Sequence, residues 1–327
     1  MEKFDFKNFI RKYGTPLGTV LIFIIFSVVT DGFFSKTNLM NLLRQMSMLT
    51  IVAFGFTFVS IPDFINKDKL SKEEEVYANK VLTSISNQKP DFVLIPGDMV
   101  MGRWYLSSNN VYNKGNRYYK EWIRRFKKHN LKYYTAIGDH ELGDLPAINL
   151  LLQGYLLDDF VNVYNNNFNN PDNGPQSLKN RVYYFIHKNT LFVTIQTFQI
   201  KGWFVHNTLS DNQINWLKNV LGKYKNDVDN IIVQGHLPVL PIKSGYKTSR
   251  LTVHDNTNST LWQVMVNNGV DLYLAGEFHT TSIKERDGIT QVVTGGIMDK
   301  KPIGYVVIDI KENIQLEIKN KVSKMLI

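Results

Sequence analysis

Asp91-Phe92-Val93-Leu94-Ile95-Pro96-Gly97-Asp98 is the stretch on which the fold turns. Its apolar centre reads as a short buried strand. The glycine that follows permits a tight turn and close backbone approach, and the aspartate stands just beyond it. The same grammar returns three times. Leu131 to Ile137 leads into Gly138-Asp139-His140-Glu141, Asn230 to Gln234 into Gly235-His236-Leu237-Pro238, and Val270 to Ala275 into Gly276-Glu277-Phe278-His279. A fifth candidate, Asp63, follows the stretch Phe56 to Ile61. Polar groups just beyond the carboxyl ends of strands in an open α/β sheet converge on one crevice. Singly, each motif is a turn signal. Asp63, Asp98, Asp139, His236 and Glu277 are 35, 41, 97 and 41 residues apart, each interval long enough for about one strand–helix unit or more.

Between these strands the pattern is helical. Tyr118 to His129 reads as a helix, and Ser210-Asp211-Asn212-Gln213 as a capping-box start for the helix holding Trp216, Leu217 and Val220. Thr190 to Thr197 and Thr290 to Thr294 are further strands, and Gly304 to Lys319 reads as a closing hairpin around Lys311-Glu312-Asn313. The fold class is α/β with late antiparallel strands. Val161 to Arg181, rich in Asn, Pro and Gly, predicts a long surface loop. No internal repeat is present.

The chain has 327 residues, enough for one large domain or two ordinary ones. It has no cysteine, which excludes disulfides, zinc-thiolate sites, iron–sulfur clusters and cysteine nucleophiles, so any metal must be held by His, Asp, Glu or Asn. The mean hydropathy of −0.20 excludes a membrane protein along the full length. The formal charge is +9; residues 1–62 hold six basic and three acidic residues, hence +3, and the remainder holds +6. That mild excess favours anionic substrates or membrane surfaces without pointing specifically to nucleic acid. The nearest basic block, Arg124-Arg125-Phe126-Lys127-Lys128, reads as a solvated helix face.

Residues 1–55 differ from the body at 56–327. Lys3, Lys7, Arg11 and Lys12 precede an uncharged stretch from Tyr13 to Thr30 whose centre is Val20-Leu21-Ile22-Phe23-Ile24-Ile25-Phe26. It approaches the ~20 apolar residues that cross a bilayer, and the basic flank predicts a cytoplasmic amino terminus. No small-x-small cleavage site follows, so an uncleaved anchor is expected over a signal peptide. Asn38 to Gly55 has helical periodicity, whereas Phe56 to Ile61 reads equally as the end of a second span or as a buried strand. With one crossing, the body lies on the extracytoplasmic side. Tyr13-Gly14-Thr15-Pro16-Leu17-Gly18, Asn38-Leu39-Met40-Asn41-Leu42-Leu43-Arg44-Gln45 and Ile51-Val52-Ala53-Phe54-Gly55 give residues 12–59 a resemblance to the start of a sugar-type ABC transporter permease. Such permeases continue with many more apolar helices and this chain does not. A permease fragment fused to an unrelated body is therefore one reading of the whole.

The five strand-end motifs together resemble the calcineurin-like metallophosphoesterase family over about residues 56–319. Its pattern is D-x-H, G-D, G-N-H-[DE], G-H and G-H-x-H. Three departures stand out: Ile65 holds the place of the first histidine, with Asn66 or Asp68 as substitutes, Asp139 replaces an asparagine, and Glu277 replaces a histidine. The last two exchange neutral ligands for carboxylates, which favours Mn, Fe or Mg over Zn. The resemblance implies two packed mixed β-sheets flanked by helices, two divalent metal ions, and hydrolysis of a phosphate mono- or diester. Asp63, Asp98 and His279, with Asn66, are then the ligands of one ion; Asp98, Asp139, His236 and Glu277 hold the other, with Asp98 bridging. A metal-activated water is the nucleophile. His140 matches the family's non-ligand histidine, which stabilises charge or protonates the leaving group. Arg103 is placed to pair with a phosphate oxygen or to form a structural salt bridge. His254 and Trp104 are candidates for the substrate pocket. A binding protein on the same scaffold is the rival reading, supported by Ile65. Substrate identity and oligomeric state are not legible.

Overall fold

The computed structural model describes residues 54–57, 72–100, 102–143, 153–202, 204–242, 250–278, 280–294, 305–310 and 314–319. The chain divides into two units, Met1–Val52 and Ala53–Ile327, and all described residues belong to the second. The apolar stretch Tyr13 to Thr30 lies outside them. No helix among the described residues is long and apolar enough to cross a membrane.

The apolar runs form two sheets, with strands numbered here in chain order. The first has Phe54–Thr57 (β1), Val93–Ile95 (β2), Tyr133–Thr135 (β3), Tyr305–Ile310 (β12) and Ile314–Lys319 (β13) in the order β13-β12-β1-β2-β3. β1, β2 and β3 are parallel to one another, while β12 and β13 run antiparallel and close the far edge as the expected hairpin. The second has Tyr183–His187 (β4), Thr190–Thr194 (β5), Asn230–Gln234 (β8), Leu272–Ala275 (β9), Ser282–Arg286 (β10) and Ile289–Val293 (β11) in the order β10-β11-β9-β8-β5-β4. Gln199–Lys201 (β6) and Phe204–His206 (β7) form a separate two-stranded ribbon. Every residue of β2, β5, β8 and β9 is buried. That is why these strands are written as continuous apolar runs rather than alternating ones. β10, at an edge, carries Lys284, Glu285 and Arg286 instead, charges that discourage edge pairing.

Phe54 and Gly55 are strand, not the end of a helix, and Phe56 and Thr57 pair with Val93 and Leu94 of β2. The β-branched and aromatic character of this stretch therefore prevails over the helical periodicity that precedes it. The permease-like stretch, residues 12–59, therefore includes a central strand of the first sheet.

The two sheets meet through aromatic side chains. The Phe92 ring lies edge-on to Phe185 at 5.4 Å and to Phe192 at 5.0 Å, Tyr134 stacks on Phe185 at 4.0 Å, and the Tyr183 hydroxyl donates to the Thr135 carbonyl at 2.9 Å. Edge and offset contacts of this kind suit the ring quadrupoles. They fix the spacing between the sheets.

Lys72–Asn87 (α1) buries Ala78, Val81, Leu82 and Ile85, one stripe at helical spacing. Asn116–Lys128 (α2) buries Tyr119, Trp122 and Phe126. Its basic block is not uniformly solvated. Arg124 is exposed, whereas Arg125 is buried and reaches Glu75 of α1 at 2.6 Å. A short turn of helix, Asp139–Leu142 (α3), follows β3. The expected loop from Val161 is also corrected: Leu157–Asn167 (α4) is helical, with Asp158 and Asp159 in its first turn and Phe160, Val163 and Tyr164 buried. Burial of that apolar face outweighs the weak helix propensity of its asparagines. The Asn-, Pro- and Gly-rich irregular segment begins only after it. Asp211–Tyr224 (α5) starts at Ser210, whose hydroxyl accepts from the Gln213 amide at 3.3 Å. Gln213 does not close the capping box. Its side chain turns inward and exchanges two hydrogen bonds with the Gln196 backbone at 2.8 and 2.9 Å. Thr260–Asn267 (α6) precedes β9.

Candidate metal centre

β2, β3, β8 and β9 each end in a glycine turn, and the turns face one another. Ligand atoms of Asp98, Asp139, His236 and Glu277 all lie within 4.8 Å of one another. The backbone has to be unusual to achieve this. Asp98 has φ +57° and Glu277 φ +67°, left-handed conformations that non-glycine residues adopt at a cost of roughly 1–3 kcal/mol. Gly138 presses directly on Asp98: a Cβ there would sit 2.0 Å from Asp98 Oδ1 and 2.6 Å from its amide nitrogen. Only a residue without a side chain lets the second loop reach the first.

His236 is the hub and is fully buried. Its Nδ1–H donates to the Pro96 carbonyl at 2.6 Å, which turns Nε2 inward toward the carboxylates. Nε2 is 3.1 Å from Asp139 Oδ1, 3.3 Å from Asp98 Oδ2 and 3.5 Å from Glu277 Oε2. The tautomer fixed by a carbonyl on the far nitrogen is the arrangement usual for an imidazole metal ligand. The Phe198 ring packs beside it at 5.9 Å. The remaining loop atoms are anchored by neutral groups. Thr197 Oγ1 accepts from the Leu237 amide at 3.1 Å and the Tyr273 hydroxyl donates to the Leu237 carbonyl at 2.7 Å. Gln291 Oε1 accepts from the amides of Val239 and Leu240 at 2.8 and 2.7 Å. Glu277 Oε1 accepts from the Leu251 amide at 3.0 Å, which turns Oε2 toward His236.

The electrostatics call for a cation. Two carboxylates ~4 Å apart repel by about 4 kcal/mol at an effective dielectric of 20, and three converge here on one imidazole. Burial alone lowers the proton affinity of His236, but Asp98, Asp139 and Glu277 outweigh it and hold the imidazolium well above the usual histidine range. Burial pushes the Asp139 carboxyl up, and His140 and His236 more than reverse that, so it lies below the usual carboxylate range. Three carboxylate oxygens and one imidazole nitrogen gathered around one point fit a divalent cation.

Of the other expected site residues, His140 stands at the rim, 15% exposed, with Nε2 4.0 Å from Asp98 Oδ2 and its amide donating to Asp98 Oδ1 at 3.2 Å. Asp63, Asn66, Asp68 and His279 lie outside the described residues. Arg103 is partly buried and no hydrogen bond or ion pair joins it to another described residue. Trp104 is not a pocket wall. It is 1% exposed, stacks with Tyr118 and donates its indole N–H to the Glu141 carbonyl at 3.1 Å. The large apolar ring is worth more in the core once its one polar atom has a partner. The His254 side chain is 76% exposed and paired with Asp255 at 2.9 Å. Glu141 belongs to the Gly138-Asp139-His140-Glu141 motif, whose sequence assigns it no role. It is 1% exposed, and burial together with the neighbouring Asp98 raises its carboxyl to about 7. Only its bond to the Gly138 amide has a local signal, a carboxylate three residues past a helix-opening glycine.

Parallel strands that deliver Asp, Asp, His and Glu to one point define an α/β protein with a candidate metal centre. The chain belongs to the calcineurin-like phosphoesterase family, whose model matches residues 71–280, well over half of its length. It is similar in structure to a dimetal phosphatase from Danio rerio, with 12% identity and a TM-score of 0.56 over 82% of this chain and 96% of that one. A candidate 5′-nucleotidase from Staphylococcus aureus is 15% identical with a TM-score of 0.50; the match covers 81% of this chain and 52% of that one. At such identities the likeness is one of fold. A 58-residue segment is 36% identical to the ribose import permease protein RbsC of Bacillus subtilis (strain 168), a match spanning 18% of this chain and 18% of that permease.

Proposed function

We propose that this chain hydrolyses phosphate mono- or diesters at the strand-end centre. The observation that carries the reading is the convergence of Asp98, Asp139, His236 and Glu277 within a chain of the phosphoesterase family. These four would hold one divalent ion, with Asp98 shared with a second ion completed by Asp63, Asn66 and His279. The carboxylate-rich set suits Mn, Fe or Mg better than Zn. Bound metal would lower the pKa of a water and polarise the phosphoryl oxygens. The chain itself supplies position and proton transfer. Pro96 and Glu277 keep the ligand atoms turned inward through His236 Nδ1 and the Leu251 amide. His140, tied by its amide to Asp98 and open to solvent on one side, is placed to protonate the leaving oxygen. Attachment to a membrane through residues 1–55 belongs to the same proposal, and protease accessibility in intact cells tests it.

The full chain with Mn²⁺ is expected to cleave p-nitrophenyl phosphate or bis(p-nitrophenyl) phosphate. Asp98→Ala and His236→Ala should each lower the rate by more than about 100-fold. Unchanged turnover in both variants contradicts the assignment. A binding protein on the same scaffold is favoured only by Ile65 at the first motif. Metal uptake without turnover of either ester would support that reading.

A further inference from the structure

Glu141 is not among the four groups whose ligand atoms converge, yet it touches both loops of the first sheet that carry them. Its Oε2 accepts from the Asp98 amide at 2.9 Å and the Gly138 amide at 2.6 Å, and its Oε1 accepts from the Met99 amide at 2.6 Å. All three bonds are buried. The amides of Asp98 and Met99 are successive, and they follow Gly97 at φ +89° and Asp98 at φ +57°. Successive N–H groups on a backbone of this kind form a concavity that binds an anion. Here the anion is a side chain of the protein. Glu141 is held from behind by the Trp104 indole, which donates to its carbonyl at 3.1 Å, and Met99 by the Trp122 indole, which donates to its carbonyl at 2.9 Å.

We propose that Glu141 is a positioning residue: its carboxylate holds Asp98 in the left-handed backbone conformation from which Asp98 Oδ2 faces His236, so that metal affinity depends on a group that is not a ligand. This inference rests on the reading that the centre holds metal. An amide cannot replace the carboxylate. Glutamine offers one acceptor oxygen, so its NH₂ would confront at least one of the three backbone donors. Partners in this second layer around a metal typically contribute about 10–100-fold to its affinity.

The test is a Mn²⁺ titration of the full chain, with free Mn²⁺ followed by electron paramagnetic resonance. The unmodified protein, Glu141→Gln and Asp98→Ala are compared, with thermal melts in parallel. The expected result is a Kd for Mn²⁺ raised about 10–100-fold in Glu141→Gln. A lowered Tm with Kd within about twofold of the unmodified protein would show a purely structural role and overturn the proposal. If Glu141→Gln does not fold, Glu141→Asp is read in its place. That variant keeps the charge but is one methylene too short to span both loops, so Kd raised more than threefold supports the proposal and unchanged Kd overturns it. Failure of the unmodified chain to bind Mn²⁺ refutes the metal reading itself and the proposal with it. Binding that Asp98→Ala leaves intact refutes the assignment of Asp98 as ligand.

Discussion

The two sheets deliver their ligands to one point by different means. On the first sheet, the loops of Asp98 and Asp139 are joined by a buried charge, the Glu141 carboxylate, and pressed together at Gly138. On the second, the loop of His236 is held by neutral groups, Thr197, Tyr273 and Gln291. One half of the centre is thus tied together by a buried carboxyl group and the other by ordinary polar side chains. Disturbing the first half should change metal affinity. Disturbing the second should mainly change stability, since His236 keeps its own bond to Pro96.

The largest effect is expected at Gly138→Ala. The added Cβ meets Asp98 backbone and side chain below 3.0 Å, so Mn²⁺ uptake and ester cleavage should both fall by more than about 100-fold, with a lowered Tm. An active Gly138→Ala protein would show that the two loops are not pressed together as described. Glu141→Gln comes next, with the 10–100-fold loss of affinity derived above. On the second sheet, Gln291→Leu orphans the amides of Val239 and Leu240 and should lower stability by about 2–4 kcal/mol in chemical denaturation. Its Kd for Mn²⁺ should stay within about threefold. Tyr273→Phe orphans one carbonyl and should lower stability by about 1–3 kcal/mol with the same small effect on Kd. If either second-sheet variant loses metal as Glu141→Gln does, the contrast between the halves is lost. Arg124→Ala, removing an exposed pair with Glu121, sets the floor, at less than about 0.5 kcal/mol.

The sequence made the ligand loops legible because strand, glycine and ligand are contiguous at Asp98, Asp139, His236 and Glu277. Fully buried parallel strands need unbroken apolar runs, so β2, β8 and β9 announced themselves too. What stayed hidden depends on partners distant in the chain. Glu141 acts on amides 42 and 43 residues away, and nothing at its own position shows which donors it will meet. Trp104 is buried, and the strip of sequence around an aromatic does not say whether core or cleft receives it. The asparagines of Leu157–Asn167 favour loop over helix, while the burial of its apolar face against the body is a tertiary effect. The identity of the first strand was ambiguous for a similar reason: Phe54–Thr57 finds its partners in Val93 and in Val307.

If folding gathers these carboxylates and this imidazole to hold metal, the metal content of the purified chain will show it. Full chain equilibrated with Mn²⁺, freed of excess by gel filtration and assayed by plasma emission spectroscopy should retain at least one equivalent per chain. His236→Ala and Asp98→Ala, folded as judged by circular dichroism, should retain less than a tenth of that. Equal Mn²⁺ in the unmodified protein and both variants, or none in any of them, would contradict the account.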